Sequence, residues 1–586
     1  MTILLYSTTI KILRLLARLP MKSSLLLSSC LLLTACATPV APTSYTLNSG
    51  AERTPEQLAV VFEHADLTFR VDPAQRSITG DARLTFLASA PLTRFALDLD
   101  RNLPVDAVEV DGQPLAPHDY ANPEGRLSIT LPATIAAGQR TTIRVRYHGV
   151  PHVAVKAPWD GGMVWSSTAD GAPWVASAVQ GEGCDLFWPC IDHPMGKAQL
   201  IDQHIQVPSP LVAAGNGVAL GMDEKDGWRT WHWRAKHPST YGIALNIAPY
   251  RTMQGEYASR YGNRIPLQFW YLPESEAKAR GLFDELPPML DFFESVIGPY
   301  PFGDEKVGIA ETPHKGMEHQ TINAYGNKYA KTGYGYDELL QHEFAHEWFG
   351  NQLTNSNWDD MWLHEGFGSY MQPLYMQYLR GDQEYFASLQ QIRTGILNKA
   401  PIVSGKPKTE EEVYDIKQGG PGGDIYAKGA LVLHTLRGLI GDDAFFRAMR
   451  LLVYGTEQPL PGQFQPRYGS TTEFMAIVNK VTGNNYDWFF QVYLYQAALP
   501  ELTSVRDGDT LRLAWKTPAD LPFPMPVEVR IGKDIQTVPM ALGFGELHLP
   551  AGATYTLDPH SRVLRRAEHI EQFQKFREEQ AKGKKG

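Results

Sequence analysis

The chain has 586 residues, 43% of them apolar and 20% charged, and a formal net charge of −10. That length exceeds what one hydrophobic core supports, so several domains are expected, in a composition typical of folded globular proteins. An acidic chain lacks the basic surface of a nucleic-acid binder and mildly favours cationic ligands.

At the N-terminus, Lys22 precedes the apolar run Leu25–Leu33, which ends in Leu33-Thr34-Ala35-Cys36. A basic flank, a short apolar core and small residues before a cut describe a secretory signal over residues 1–35. The run is too short to cross a bilayer as a helix, which takes about 20 residues. Leu-Thr-Ala-Cys resembles the bacterial lipoprotein box. That resemblance implies lipidation of Cys36 and an exported protein of the bacterial cell envelope, anchored to a membrane and facing the periplasm. The plainer alternative is secretion with Cys36 incidental. Met21 also fits as a start, because Met1–Pro20 reads like an upstream extension. Residues 36–50 are expected to form a tether, given the Pro and Thr of residues 37–44. Of the four cysteines, Cys184 and Cys190 remain in the body after Cys30 and Cys36 are set aside. An oxidising compartment permits a bridge between them, but spacing alone leaves buried free thiols equally open.

Residues 51–250 alternate apolar and polar positions: Ala82, Leu84 and Phe86; Phe95, Leu97 and Leu99; Ile143, Val145 and Tyr147. Val105, Val108 and Val110 lead into Asp111-Gly112, a hairpin signal. The expected unit is an N-terminal β saddle or sandwich. Helical periods dominate residues 251–500, strands return over 501–565 as a small β-sandwich, and 566–586 is a charged, helix-prone tail. The fold class is multidomain α+β.

The chemistry centres on Asp337–Tyr370, which holds His342, Glu343 and His346 as HExxH and then Glu365 after eighteen intervening residues. Positions four apart lie on one helical face, so His342 and His346 can aim two imidazoles at one zinc ion. Glu343 stands beside the metal as the general base of this motif. A catalytic zinc takes a third protein ligand and keeps one position open, and Glu365 is the natural third ligand. The competing interpretation is an ordinary amphipathic helix with Leu340, Phe344 and Trp348 turned inward. Three other runs stand out: SAVQGEGCDLFWPCIDHPMGKAQ at 177–199, KGMEHQ at 315–320, and KQGGPGGDIYAKGALVLHTLR at 417–437. The glycines of the last run lack the G-K-[ST] ending of a phosphate loop and are expected to form a flexible connector.

HEFAHEWFG, the eighteen-residue gap and WLHEGFGSY resemble the zinc aminopeptidases of the aminopeptidase N and leukotriene hydrolase family, the gluzincins, with His364 where the family often has Asn. The resemblance implies a thermolysin-like, mainly helical catalytic domain, one Zn2+ per chain and peptide substrates with a free N-terminus. KGMEHQ resembles the family's G-A-M-E-N exopeptidase motif, departing from it at Lys315, Gly316 and His319. It implies that Glu318 binds the substrate α-amine, with Gly316 and Met317 alongside the substrate. The 177–199 run resembles the family's Q-x-E and P-C-x-D-E-P segment, with His193 where Glu is usual. It implies that Gln180 and Glu182 reach the site from the N-terminal domain. Tyr426 in YAKGA matches the family's oxyanion-stabilising Tyr. The long helical C-terminal domain of larger members has no evident counterpart. A metal-dependent aminopeptidase, monomeric, is therefore the expectation. Its alternatives are endopeptidase or epoxide hydrolase use of the same site, and a non-catalytic peptide-binding lipoprotein.

Overall fold

Strands form in the first half because each alternating run lays one apolar face on a common core. In the structure, a computed structural model that describes residues 44–583, Ser77–Ala88 buries Ala82, Leu84 and Phe86, and Arg140–Gly149 buries Ile143, Val145 and Tyr147. Asp111 and Gly112 both take positive φ, 50° and 79°. That is the type I′ turn geometry that matches strand twist, and it returns Val105–Val110 onto Gln113–Pro114. Val60–Asp72 sits inside an eight-stranded sheet, antiparallel to Ser77–Ala88 and parallel to Leu200–Pro208. A three-stranded sheet built on Leu92–Asp98 and Arg126–Ile135, and a four-stranded sheet centred on Pro173–Ala178 and Asn246–Ala248, complete the β domain.

The next segment opens with strands and not with helices. Arg251–Ala258, Arg264–Tyr271, Val307–Glu311 and Asn323–Tyr325 form one sheet. Ile265, Leu267 and Phe269 alternate there, but the apolar Trp270 and Tyr271 that follow obscure the period in the sequence. The helices Glu276–Phe283 and Leu286–Val296 interrupt that sheet, and helices predominate from Glu338–Ala345 onward. Trp362–Arg380 is the central one, buried almost all round as far as Met376 and packed against Glu338–Ala345, Asp382–Arg393 and Ala427–Ile440. Two three-stranded sheets follow between Glu501 and Leu557, then the helix Glu568–Gly583. No helix among the described residues is long and apolar enough to cross a membrane.

Three expectations meet the structure differently. Cys184 and Cys190, left open as bridge or thiols, are joined as a disulfide. The glycine-rich run is a packed turn and not a flexible connector: Gly420 and Gly422 are buried, and Asp424 accepts hydrogen bonds from the N–H groups of Leu397 and Asn398 at 2.6 and 2.7 Å. The tether is the third. Residues 1–43, including the signal segment and Cys36, lie outside the described residues, but Thr46–Gly50 is built into the body. Ser49 N–H donates to Gly181 O (2.9 Å), Ser49 Oγ donates to Asp192 Oδ1 (3.0 Å), and Ser49 O accepts from Glu410 N–H (3.0 Å). Asn48 Nδ2 donates to Glu411 Oε2 at 3.2 Å. Buried backbone polar groups must be paired, and here the pairing staples the 180–192 loop of the β domain to the helix Glu410–Tyr414. Gly50 adopts φ +88°, and a Cβ there would sit 2.1 Å from Trp358 Cδ1.

Gly50→Val adds backbone strain and a steric overlap at once. It is expected to lower the melting temperature by several degrees, as read by calorimetry, whereas Gly138→Val, at a positive-φ turn with open space around it, is expected to cost less.

Candidate active site

The helix Glu338–Ala345 begins where Asp337 caps it, its carboxylate accepting from Leu340 N–H at 3.0 Å. Tyr325 Oη donates to the same carboxylate at 2.5 Å, tying the helix start to the edge strand of the sheet. His342 lies within this helix and His346 caps its end. His346 Nδ1 donates to Phe349 O at 2.8 Å, which fixes the tautomer and leaves Nε2 with a free lone pair. Glu365 enters from the first turn of Trp362–Arg380.

The three groups converge. His342 Nε2 lies 3.2 Å from His346 Nε2, and Glu365 Oε2 lies 3.3 and 3.4 Å from them. Ligands held about 2.0–2.1 Å from a tetrahedral zinc stand about 3.3–3.4 Å apart, so the triangle has the size zinc requires. Glu365 Oε2 is buried and accepts no hydrogen bond. The electrostatics agree. Burial alone would pull His346 down, yet the charges of Glu365, Glu318 and Glu343 carry it up to about 10. Burial would raise Glu365, and His346 and His342 hold it below the usual carboxylate range instead. The cage is a dry, anionic place that favours a cation, and these residues fit zinc.

Glycine makes the convergence feasible. A Cβ on Gly368 would lie 3.2 Å from His346 Cε1 and 3.4 Å from His342 Cε1, so the imidazoles rest on bare backbone. A Cβ on Gly429 would lie 3.0 Å from Gly366 Cα, and one on Gly366 would lie 3.1 Å from Ile425 O. The helices carrying Glu365 and Tyr426 therefore touch backbone to backbone. Tyr426 stands at the start of Ala427–Ile440, its ring centroid 6.1 Å from that of His342. Its Oη lies 2.7 Å from Tyr414 Oη. Burial, followed by the charge of Glu365, pushes the Tyr426 phenol well above its ordinary value, so it stays a neutral donor. Lys428 of the same run plays a different part: buried, it donates to Gln496 O and Ala497 O at 2.8 Å each.

Glu318 and Glu343 are both buried, and burial raises both carboxyls; the charge of Glu318 raises Glu343 further, while at Glu318 His346 opposes the rise and Glu365 adds to it. Met317 forms a bridge with Ala324 on the edge strand, which sets Glu318 facing the cage. Gln180 Nε2 donates to Glu318 Oε1 at 2.5 Å and Tyr241 Oη to the same oxygen at 2.9 Å. Glu182 rests against Gly161, and burial pushes it up to about 7. Gly316 lies against Glu343, where a Cβ would be 2.3 Å from Oε1. Every candidate of the body is thus at one place; Cys36 lies outside the described residues.

The substituted histidines are accommodated locally. His364 Nε2 accepts from Asn355 N–H at 3.0 Å, and His193 Nδ1 accepts from Met195 N–H at 3.0 Å. Burial holds them neutral, at about 3 and about 4. His319 is fully buried with neither ring nitrogen hydrogen-bonded. Sequence reasoning missed Tyr241 and Tyr414. Neither sits in a motif; only the Thr409–Glu412 capping box ahead of Tyr414 marked a helix start.

With this geometry in place, comparison with known proteins is decisive. The Peptidase M1 N-terminal domain matches residues 61–241 and the Peptidase family M1 domain matches residues 284–493. The chain belongs to peptidase family M1. It is 24% identical over 345 residues to mitochondrial aminopeptidase 2 of Saccharomyces cerevisiae, covering 55% of this chain and 34% of that one. It is 26% identical over 326 residues to leukotriene A-4 hydrolase of Xenopus laevis, covering 53% and 50%. The chain thus spans only a third to a half of the length of these relatives. Among solved structures, the M1 zinc metallopeptidase of Deinococcus radiodurans, crystallised as a point variant with a Tyr-Ser-Ala substrate, superposes with a TM-score of 0.61 at 25% identity, covering 75% of this chain and 95% of that one.

Gly368→Val fills the space under both imidazoles while leaving a position valine tolerates in a helix. It is expected to weaken zinc binding by about tenfold or more, measured by competition with a chromophoric chelator.

Proposed function

We propose that this M1 chain is a zinc-dependent aminopeptidase of the cell envelope, removing the first residue from peptides. One observation carries the exopeptidase part. Two carboxylates, Glu318 beside the metal group and Glu182 two residues on from the Gln180 that donates to it, have no Lys or Arg ion-paired to either among the described residues. An α-ammonium drawn into a closed cleft loses water and needs such partners, whereas a mid-chain peptide offers no cation to them. Gln180 and Tyr241 orient Glu318 for this contact. The anchor is a separate proposal, supported by the Leu33–Cys36 run: lipidation of Cys36 and exposure to the periplasm. The monomer is supported by a site assembled within one chain.

Bound at His342, His346 and Glu365, zinc supplies Lewis acidity toward the scissile carbonyl and toward water. Glu343 takes a proton from the attacking water and passes it to the leaving amine. Tyr426, accepting from Tyr414, keeps its own O–H free to donate to the developing oxyanion. Glu318 and Glu182 hold the N-terminus, so that the first peptide bond lies over Glu343.

A peptide with a free N-terminus is expected to lose its first residue in a chelator-sensitive reaction, while the acetylated peptide is expected to be inert; cleavage of both would sink the exopeptidase reading. Glu343→Gln is expected to keep its zinc and lose about 10²–10⁴ in kcat. Tyr426→Phe is expected to lose about 10²–10³ in kcat with little change in KM.

A further inference from the structure

The outer face of the eight-stranded sheet carries a second group of imidazoles. Leu200–Pro208 turns Ile201, Ile205 and Val207 into the core, so His204 points the other way. Antiparallel pairing sets His204 directly opposite His232 of Trp228–Lys236. Residues paired in this way hold their Cβ atoms about 4.5–5.5 Å apart, and here the two Nδ1 atoms meet at 2.6 Å.

The other ring nitrogens are already engaged. His204 Nε2 lies 3.2 Å from Asp66 Oδ1, and His232 Nε2 lies 3.1 Å from Asp223 Oδ2. An ionised carboxylate only accepts, so each Nε2 carries a proton. Neutral rings held in this way turn two lone pairs toward each other, which is repulsive unless a positive charge stands between them. A shared proton supplies one such charge, and a metal ion supplies more. A carboxylate behind each imidazole is also what fixes tautomer and raises basicity in metal-binding histidines.

The pair is open to an ion. The side chains of His204 and His232 are 28% and 23% exposed. Beyond His232 in the same row of the sheet stands Gly221, where a Cβ would meet nothing within 4 Å. Two ligands about 2.0–2.1 Å from one ion stand about 2.9–3.4 Å apart, so the rings must part by about half an ångström. Partly exposed side chains can rotate that far. Among the described residues no third His, Cys, Asp or Glu completes the group, so water fills the remaining positions. Two imidazoles and water suit a divalent transition metal, Cu2+ more than Zn2+.

We propose that His204 and His232 form a second metal site, which takes one divalent transition-metal ion, Cu2+ most tightly, in place of the shared proton. Binding releases that proton to solvent. The ion then joins Trp228–Lys236 to Leu200–Pro208 through side chains as well as main chain, with Asp66 and Asp223 holding the rings from the two flanking strands. The site shares no residue with the zinc group.

The test titrates the untagged, zinc-loaded full chain with Cu2+ by calorimetry, follows zinc content in the same samples, and reads the copper spectrum by electron paramagnetic resonance. Wild type is expected to take up one further equivalent with its zinc retained, and to show hyperfine coupling to two nitrogens. His204→Gln and His232→Gln are each expected to weaken this binding by more than about tenfold and to leave coupling to one nitrogen. Asp223→Asn keeps both ligands at a position 87% exposed, so folding is not at stake, and it is expected to weaken binding by about tenfold. His148→Gln, at an exposed histidine beside Asp106, is expected to change nothing. Three results overturn the proposal: no further equivalent, which leaves a pair that shares a proton only; copper that enters only as zinc leaves; or binding that neither His204→Gln nor His232→Gln weakens.

Discussion

Two helices meet backbone to backbone at Gly366 and Gly429, and the rest of the site depends on that contact. Glu365 precedes the first glycine and Tyr426 lies three residues before the second, so the metal ligand and the phenol are set side by side by the approach of two main chains. Gly368, one further step along, leaves the surface on which both imidazoles lie. A Cβ at any of these three positions would press the helices or the rings apart by a few tenths of an ångström, against backbone or metal-ligating rings. Close packing is usually a matter of filling space; here it is a matter of leaving three Cβ atoms out.

Charge supplies the second constraint. Three buried carboxylates, Glu318, Glu343 and Glu365, act on one another's charge, with the half-buried Glu182 and Glu410 near by. The arrangement costs stability in isolation and is sustained by groups that belong to the fold: Gln180 and Tyr241 on Glu318, the imidazoles on Glu365, and main-chain contacts around Glu182. Such a region gains most from cations that arrive with metal and substrate, which is how a site becomes selective for charged ligands before any shape is considered.

Much of this was legible in the sequence because the deciding residues are close together along it. HExxH needs only one helical turn to bring His342 and His346 to one face, and the Asp111-Gly112 turn and the alternating runs declared the β domain by local rules. Glu318, Glu182 and Tyr426 were legible only through the short runs around them, by family resemblance. Tyr241 and Tyr414 were not legible, since they act through partners 77 and 12 residues away and stand in no local pattern. The segment Thr46–Gly50 was misread for the opposite reason. Its composition, polar with a glycine, is that of a linker, and only the main-chain groups of Gly181 and Glu410 that pair with Ser49, far along the chain, reveal that it is structural.

That segment also has a mechanical meaning. Ser49 is hydrogen-bonded through its main chain both to the loop that carries Glu182 and to the helix Glu410–Tyr414, so tension applied to the chain ahead of Thr46 would load those main-chain bonds first. Force on that end would be felt as a change in the spacing between the β domain and the helix that carries Tyr414.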